Sequence, residues 1–434
     1  MTSESRARAH WVSRYLNEHH FGTPAIPTLT FGAELELLAF DASTNAIAPI
    51  FPVAGKSCSL DAVRDVAQRL SWRETISDKG VPRFSSDAGG SLTFEPGGQI
   101  EYASAVHGSV DNVLRELRAV ESQLRDSAEP RGISLLNVGV DPFNAADDAP
   151  LQLTAERYEK MARYFATIGP DGARMMRQTA SLQLNIGGIS PLERWGVANA
   201  IAPWLVAIFA NSSRYAGADT SCPSFRAETW RGVDPGRTGL FRGRDAIAEY
   251  TAFALDARAF LADDWAPCFV DLQAPLVSDA TLATHLTTLF PEVRPRGYLE
   301  LRSLDALEDA GRRAAMAFVA GIIGDATAAA DAFDLVGEAD ESLLRRAGRR
   351  GMTDATLASK APDLVNIARE GCRRLGHGVV SEETMDGLDD ARGGGQGIAA
   401  STSMTRPPDD SRQSACAFRP PAGTPEDAPS DIRF

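Results

Sequence analysis

Phe31-Gly-Ala-Glu-Leu-Glu-Leu-Leu-Ala-Phe40 is the stretch on which the fold turns. Period-two spacing sends Phe31, Ala33, Leu35 and Leu37 to one face of a strand and Glu34 with Glu36 to the other. The two acids therefore point the same way. In Thr179-Ala-Ser-Leu-Gln-Leu-Asn-Ile186 the same rule sets Thr179, Ser181, Gln183 and Asn185 against Ala180, Leu182, Leu184 and Ile186, a half-buried strand with an oxygen-rich face. In Gly297-Tyr-Leu-Glu-Leu-Arg-Ser303, Tyr298, Glu300 and Arg302 share one surface opposite Leu299 and Leu301. Ser91-Leu-Thr-Phe-Glu-Pro-Gly-Gly-Gln-Ile-Glu-Tyr102 reads as two strand pieces joined at a Pro-Gly-Gly turn, with Glu95 before the turn and Glu101 after it.

Glu34, Glu36, Glu95, Glu101 and Glu300 are thus expected on one polar face. Like charges about 5 Å apart repel by roughly 3 kcal/mol at an effective dielectric near 20, so such a group strains the fold unless it is neutralised. Mg²⁺ or Mn²⁺ answers this, because hard divalent ions take carboxylate oxygens and leave positions for water and substrate phosphates. The bland alternative is a set of solvated strand faces, each acid meeting an arginine across the sheet. It wins for any single glutamate; the agreement of four segments carries the site reading.

The balance of 44 Lys+Arg against 58 Asp+Glu in 434 residues, net −14, argues against a nucleic-acid footprint or an anionic-membrane surface. Lys56, Lys79, Lys160 and Lys360 are the only lysines, so nearly all positive charge is guanidinium, the better bidentate partner for phosphate and carboxylate. Cys58, Cys222, Cys268, Cys372 and Cys416 are odd in number and widely spaced, which indicates neither a disulfide framework nor a zinc site. With no apolar signal region at the start and no run long enough to span a bilayer, a cytoplasmic location is expected.

Helical spacing is expected over roughly residues 1 to 25, from Val110 to Leu124, from a Ser190 cap and Pro191 through to Asn211, and as one long stretch from Ala310 to Val336. Strands apolar on one face, interleaved with helices, predict an α+β fold: a mostly antiparallel sheet with helices behind it and an open polar side. Residues 1–385 read as one catalytic domain. From 386 the glycine run at Gly393 to Gly395 and the later prolines predict a disordered tail.

Gly55-Lys56-Ser57 lacks the glycine a phosphate loop needs, since Ile50 stands there, and Gly393 to Gly397 lies in the tail, so neither supports a nucleotide fingerprint. The six histidines have no metal-ligand spacing. Ser224 to Gly239 combines Arg226, Arg231 and Arg237 with a Pro-Gly turn and Trp230, and reads either as an anion-binding loop or as a solvated loop whose arginines pair with acids.

In chain order, Phe31-Gly-Ala-Glu-Leu-Glu36, Phe94-Glu-Pro-Gly-Gly-Gln-Ile-Glu101, Met175 to Asn185, Asp234-Pro-Gly-Arg-Thr-Gly239 and Arg294-Pro-Arg-Gly-Tyr-Leu-Glu-Leu-Arg302 resemble the glutamate-cysteine ligase family, in particular its plant-type and actinobacterial branch, which serves glutathione and ergothioneine synthesis. The likeness spans about residues 10 to 380. It implies a glutamine-synthetase-like sheet curled into a funnel, ATP as co-substrate, Mg²⁺ or Mn²⁺, and L-glutamate and L-cysteine as substrates, with the oligomeric state open. By matched positions, Glu34, Glu36, Glu95, Glu101 and Glu300 are metal ligands, and Gln183 stands where related enzymes offer a histidine. The resemblance assigns Arg302 and Arg237 to catalysis, and Arg226, Arg231, Gln183, Asn185, Gln99 and Tyr298 to substrate or ATP binding. After Glu101 the segment Tyr102 to His107 departs from the family's small-residue and proline pattern, so a different amine acceptor is the first alternative. A guanidino kinase of the same superfamily is the second, and a non-catalytic nucleotide- or metal-binding protein the third.

Overall fold

The computed structural model describes residues 3–22, 28–77, 80–260, 267–273 and 276–392. Its strands are β1 (Thr30–Asp41), β2 (Arg73–Ile76), β3 (Pro82–Ser85), β4 (Ser91–Phe94), β5 (Ile100–Ala103), β6 (Ile133–Leu136), β7 (Ser181–Gly187), the short ribbon β8 (Arg214–Tyr215) and β9 (Ala218–Asp219), β10 (Val293–Pro295) and β11 (Leu299–Asp305). All but the ribbon join one antiparallel sheet ordered β10-β11-β7-β1-β5-β4-β3-β2, with β6 added to β1. The sheet stays open, with β10 and β2 as its edges.

β1 organises the sheet because its twelve residues exceed any one neighbour. It pairs with β7 from Thr30 to Leu35, with β5 from Glu34 to Leu37, and with β6 from Leu38 to Asp41. Phe31, Ala33, Leu35 and Leu37 are buried together with Val113, Leu117 and Val120 of helix Val110–Ala128, whose Ser109 cap accepts from Asn112 N. This is the apolar face the alternation predicts, and it leaves the opposite face for the acids.

Two expected helices are broken. The stretch from Ala310 forms Asp309–Val319, a π-type turn Ala320–Gly324, and Ala326–Val336 after a bend of 98°. A Cβ on Gly321 would lie 2.1 Å from the Ala368 carbonyl oxygen and one on Gly371 2.1 Å from that of Gly321, so two backbones meet here without side chains between them. Asp325 then caps the next helix by accepting from Ala328 N. The segment from Pro191 splits at Ile201 into Pro191–Ala200 and Ala202–Ile208, with Pro203 in the first turn of the second, and the Ser190 hydroxyl makes no capping bond.

The boundary expected at 385/386 falls inside helix Glu382–Arg392, whose Met385 and Leu388 are buried against the core. The compact part therefore continues at least to Arg392. The rest of the tail lies outside the described residues. Burying Met385 and Leu388 contributes about 1.5–3 kcal/mol each. Ending the chain at 380 should lower the thermal midpoint by several degrees or leave insoluble protein, whereas ending it at 392 should leave the midpoint within about 2 °C, as read by circular dichroism.

Candidate functional site

The sheet register brings the acids together. Glu36 stands opposite Glu101 across β1 and β5, and Glu101 opposite Thr93 on β4. Glu34 stands opposite Gln183 on β7, and Asn185 opposite Glu300 on β11, which in turn faces Arg294 on β10. Glu95 enters from the turn after β4, whose geometry is locked. Gln99 accepts from Gly97 N and donates to Thr179 O, while Gln152 donates to Gly97 O and Ala48 O and accepts from Ile50 N. A Cβ on Gly97 would lie 2.1 Å from the Arg177 carbonyl oxygen, so only glycine lets the turn seat there.

The face is split by charge. On one side Glu34, Glu36, Glu95 and Glu101 line a half-buried acidic wall. Burial, reinforced by Glu95, pushes Glu36 up to about 7. Burial and then Glu95, Glu34 and Glu36 push Glu101 well above the usual carboxylate range, and Glu101 shares a hydrogen bond with Glu95. Glu34 is raised by burial and by Glu300. Burial is the larger cause for each of these acids, and crowding by a neighbouring acid adds to it. Among the described residues no three His, Cys, Asp or Glu side chains stand at the spacing of a finished cation cage.

On the other side Glu300, fully buried, meets three arginines. Arg294 donates from Nε to Oε2 at 2.7 Å and from Nη2 to Oε1 at 2.6 Å, Arg302 Nη1 donates to Oε1 at 2.5 Å, and Arg296 Nη1 lies 3.7 Å from Oε2. Burial opposes the charge, but Arg294 and Arg302 outweigh it and hold Glu300 down at about 2. Between the halves lies Gln183: its Nε2 donates to Glu36 at 3.2 Å and its Oε1 accepts from Arg302. Two buried polar atoms on this face, Arg302 Nε and Asn185 Oδ1, have no hydrogen-bond partner among the described residues. Tyr298 is half-buried beside Gly187.

Four sequence assignments change character. Gln99, assigned to substrate, spends its amide on the turn and on Thr179. Ser224 to Gly239 is not an open loop: Ser224 accepts from Ala227 N and starts helix Phe225–Val233, which turns its arginines inward. Arg231 pairs with Glu292 and with Glu341 at 3.1 Å, tying helix Glu341–Arg350 to the sheet. Arg237, assigned to catalysis, has no exposed surface, donates to Thr288 O at 3.0 Å and to Arg258 O, and lies 3.7 Å from the Phe260 ring centre. Burial lowers it to about 10. Both arginines are structural pins.

Arg226 is also buried, yet it reaches the site from behind. It donates to Arg302 O at 2.9 Å and lies 3.8 Å from Asp305, which accepts from Asn211 N, Ser212 and Ser224. The sequence reading quoted Arg294 within a motif but gave it no role; its pairing shows only in the register of β10 on β11. Ser181, which the alternation sets on the polar face, also donates its N–H to Glu36 at 2.7 Å, a backbone contact that no local signal announces. Arg157 and Tyr158, near enough to Glu95 for their charges to interact, carried no local signal either.

A family model described as glutamate-cysteine ligase family 2 matches residues 30–393. The chain is 32% identical over 329 residues to the glutamate-cysteine ligase EgtA of Mycolicibacterium smegmatis, covering 70% of this chain and 76% of that protein. It is 28% identical over 357 residues to the chloroplastic glutamate-cysteine ligase of Nicotiana tabacum, covering 75% and 68%. The solved glutamate-cysteine ligase (gshA) of Francisella tularensis, a complex with AMP, is similar in fold with a TM-score of 0.52 at 12% identity, covering 87% of this chain and 84% of that one.

The acidic wall makes a prediction for metal-free protein. Glu36 sits at about 7 in the fold against an ordinary 4.5, so its contribution to stability is present below pH 4.5 and is lost as pH rises through 7. Glu36→Gln should therefore stabilise the chain at pH 8 by up to about 3 kcal/mol and scarcely at pH 5. Urea unfolding at both pH values in chelator measures this, and an equal effect at both would contradict the placement of Glu36.

Proposed function

Because the chain belongs to glutamate-cysteine ligase family 2, we propose that it joins the γ-carboxyl of L-glutamate to the amino group of L-cysteine, converting ATP to ADP. The observation that carries this at the level of residues is the split face: acids on β1, β5 and the turn after β4, arginines on β10 and β11, one glutamine between. A carboxylate is a poor acyl donor. Its oxygen first takes the γ-phosphoryl group of ATP, giving an acyl phosphate; the amine then attacks that carbonyl carbon and phosphate leaves, forming the amide. No protein nucleophile is required.

The acidic wall offers only hard oxygen donors, which suits Mg²⁺ or Mn²⁺, with Glu34, Glu36, Glu95 and Glu101 as holders and Glu300 joining them from the arginine side. Such an ion would supply charge neutralisation at the phosphates and would favour the ionised form of these acids. We assign Arg302 to the transferring group: its Nη1 is anchored on Glu300 and Gln183, and its buried Nε, without a hydrogen-bond partner among the described residues, would serve a phosphoryl oxygen. Asn185 and Tyr298, on the same face, border the space where the substrates meet. Arg226 acts on the site by holding the Arg302 peptide. Location in the cytoplasm accords with the absence, among the described residues, of any single helix long and apolar enough to cross a membrane.

ADP release should appear with glutamate, cysteine and Mg²⁺ together and fall to background without cysteine, and mass analysis across an acceptor panel should find γ-glutamylcysteine as the main product. A better yield with another amine would move the assignment to a sister ligase. Arg302→Ala should lower kcat about 10²–10³-fold, and Glu300→Ala should abolish turnover with the far-ultraviolet spectrum intact. Near-normal rates in either variant would remove that residue from the machinery.

A further inference from the structure

Glu300 is over-supplied with positive charge. One arginine neutralises one buried carboxylate, and each further buried charge carries a desolvation cost that the pair itself does not require. Here Arg294, Arg296 and Arg302 all pair with Glu300, and the charge of the same three reaches Glu34 beside it. Their distribution is uneven. Oε1 accepts from Arg294 Nη2 and Arg302 Nη1, whereas among the described residues Oε2 accepts only from Arg294 Nε, with Arg296 3.7 Å away. A carboxylate has about four lone-pair positions, so one position on Oε2 remains.

The fork of Arg294 is what sets where that position points. Both of its bonds lie on one carboxylate, from Nε and Nη2, which fixes the carboxyl plane as a single contact cannot. Arg302 touches one oxygen only and shares its Nη1 with Gln183. Arg294 itself is delivered by β10, a three-residue edge strand whose register places it directly opposite Glu300. Pro295, next in the chain, has no N–H to offer a further strand, so the edge ends here.

We propose that Arg294 is a positioning residue: through its two bonds it orients Glu300 so that the free position on Oε2 faces the divalent cation. This rests on the metal reading above and adds to it the residue that aims the ligand. A lysine in its place would keep the charge and lose the fork.

The test is Mn²⁺ binding to the substrate-free protein, followed by electron paramagnetic resonance, alongside the Mg²⁺ dependence of turnover. Arg294→Ala should weaken Mn²⁺ affinity about 10–100-fold and raise the Mg²⁺ needed for half-maximal rate. Arg294→Lys should recover only part of that loss. In a Glu300→Gln background, Arg294→Ala should change Mn²⁺ affinity less than 2-fold, because the ligand it orients is gone. Unchanged affinity in Arg294→Ala, full recovery in Arg294→Lys, or an equal loss in the Glu300→Gln background would overturn the proposal. If Arg294→Ala fails to fold, Arg294→Lys and Arg294→Gln read the same loss. Wild-type protein that binds no Mn²⁺ at all would instead sink the metal reading itself.

Discussion

One side-chain amide joins two halves of opposite charge. Gln183 gives its N–H to Glu36 and takes one from Arg302. A glutamine is suited to this junction because it carries a donor and an acceptor on one rigid group; a carboxylate there would repel Glu36 and a cation would repel Arg302. The strand order makes the junction unavoidable. β7 lies between β1, which carries Glu34 and Glu36, and β11, which carries Glu300 and Arg302. A chemistry that brings an anionic carboxylate to an anionic triphosphate is served by such a divided surface, with acids that would hold a cation on one side and fixed guanidinium groups on the other.

The rest of the fold serves to hold that division still. β1 pairs with β5 and β7 along its two edges at Glu34 and Leu35, and its length lets it run on past the two glutamates to pair with β6. Glu95 is not on a strand, so its position depends on the Pro-Gly-Gly turn, on Gln99 and Gln152, and on the close seat of Gly97 on Arg177. On the basic side Asp305 gathers Ser212, Ser224, Asn211 and Arg226 at the end of β11, which fixes the peptide of Arg302. Arg231 and Arg237 do similar work further out.

The strands and their polar faces were legible because a period of two is a local signal, and Glu34, Glu36, Gln183, Glu300 and Arg302 are all placed on the faces it predicts. What stayed hidden depends on partners far along the chain. The break at Gly321 follows from contact with Ala368, which no window of sequence contains. Arg231 and Arg237 look like anion binders until Glu292, Glu341, Thr288 and Phe260 are brought to them. The motif containing Gln99 resembles a binding motif although its amide closes a turn. Arg294 needed the cross-strand register, and the arginine excess around Glu300 needed three side chains in space.

The central claim is that the acidic wall takes divalent cations facing the arginines across Gln183. Anomalous diffraction from crystals grown with Mn²⁺ and a non-hydrolysable ATP analogue tests it most directly. The account predicts Mn²⁺ peaks within about 2.5 Å of oxygens from Glu34, Glu36, Glu95, Glu101 or Glu300, with the analogue's terminal phosphate toward Arg302. Peaks only at surface carboxylates, or a nucleotide bound away from this face, would contradict it.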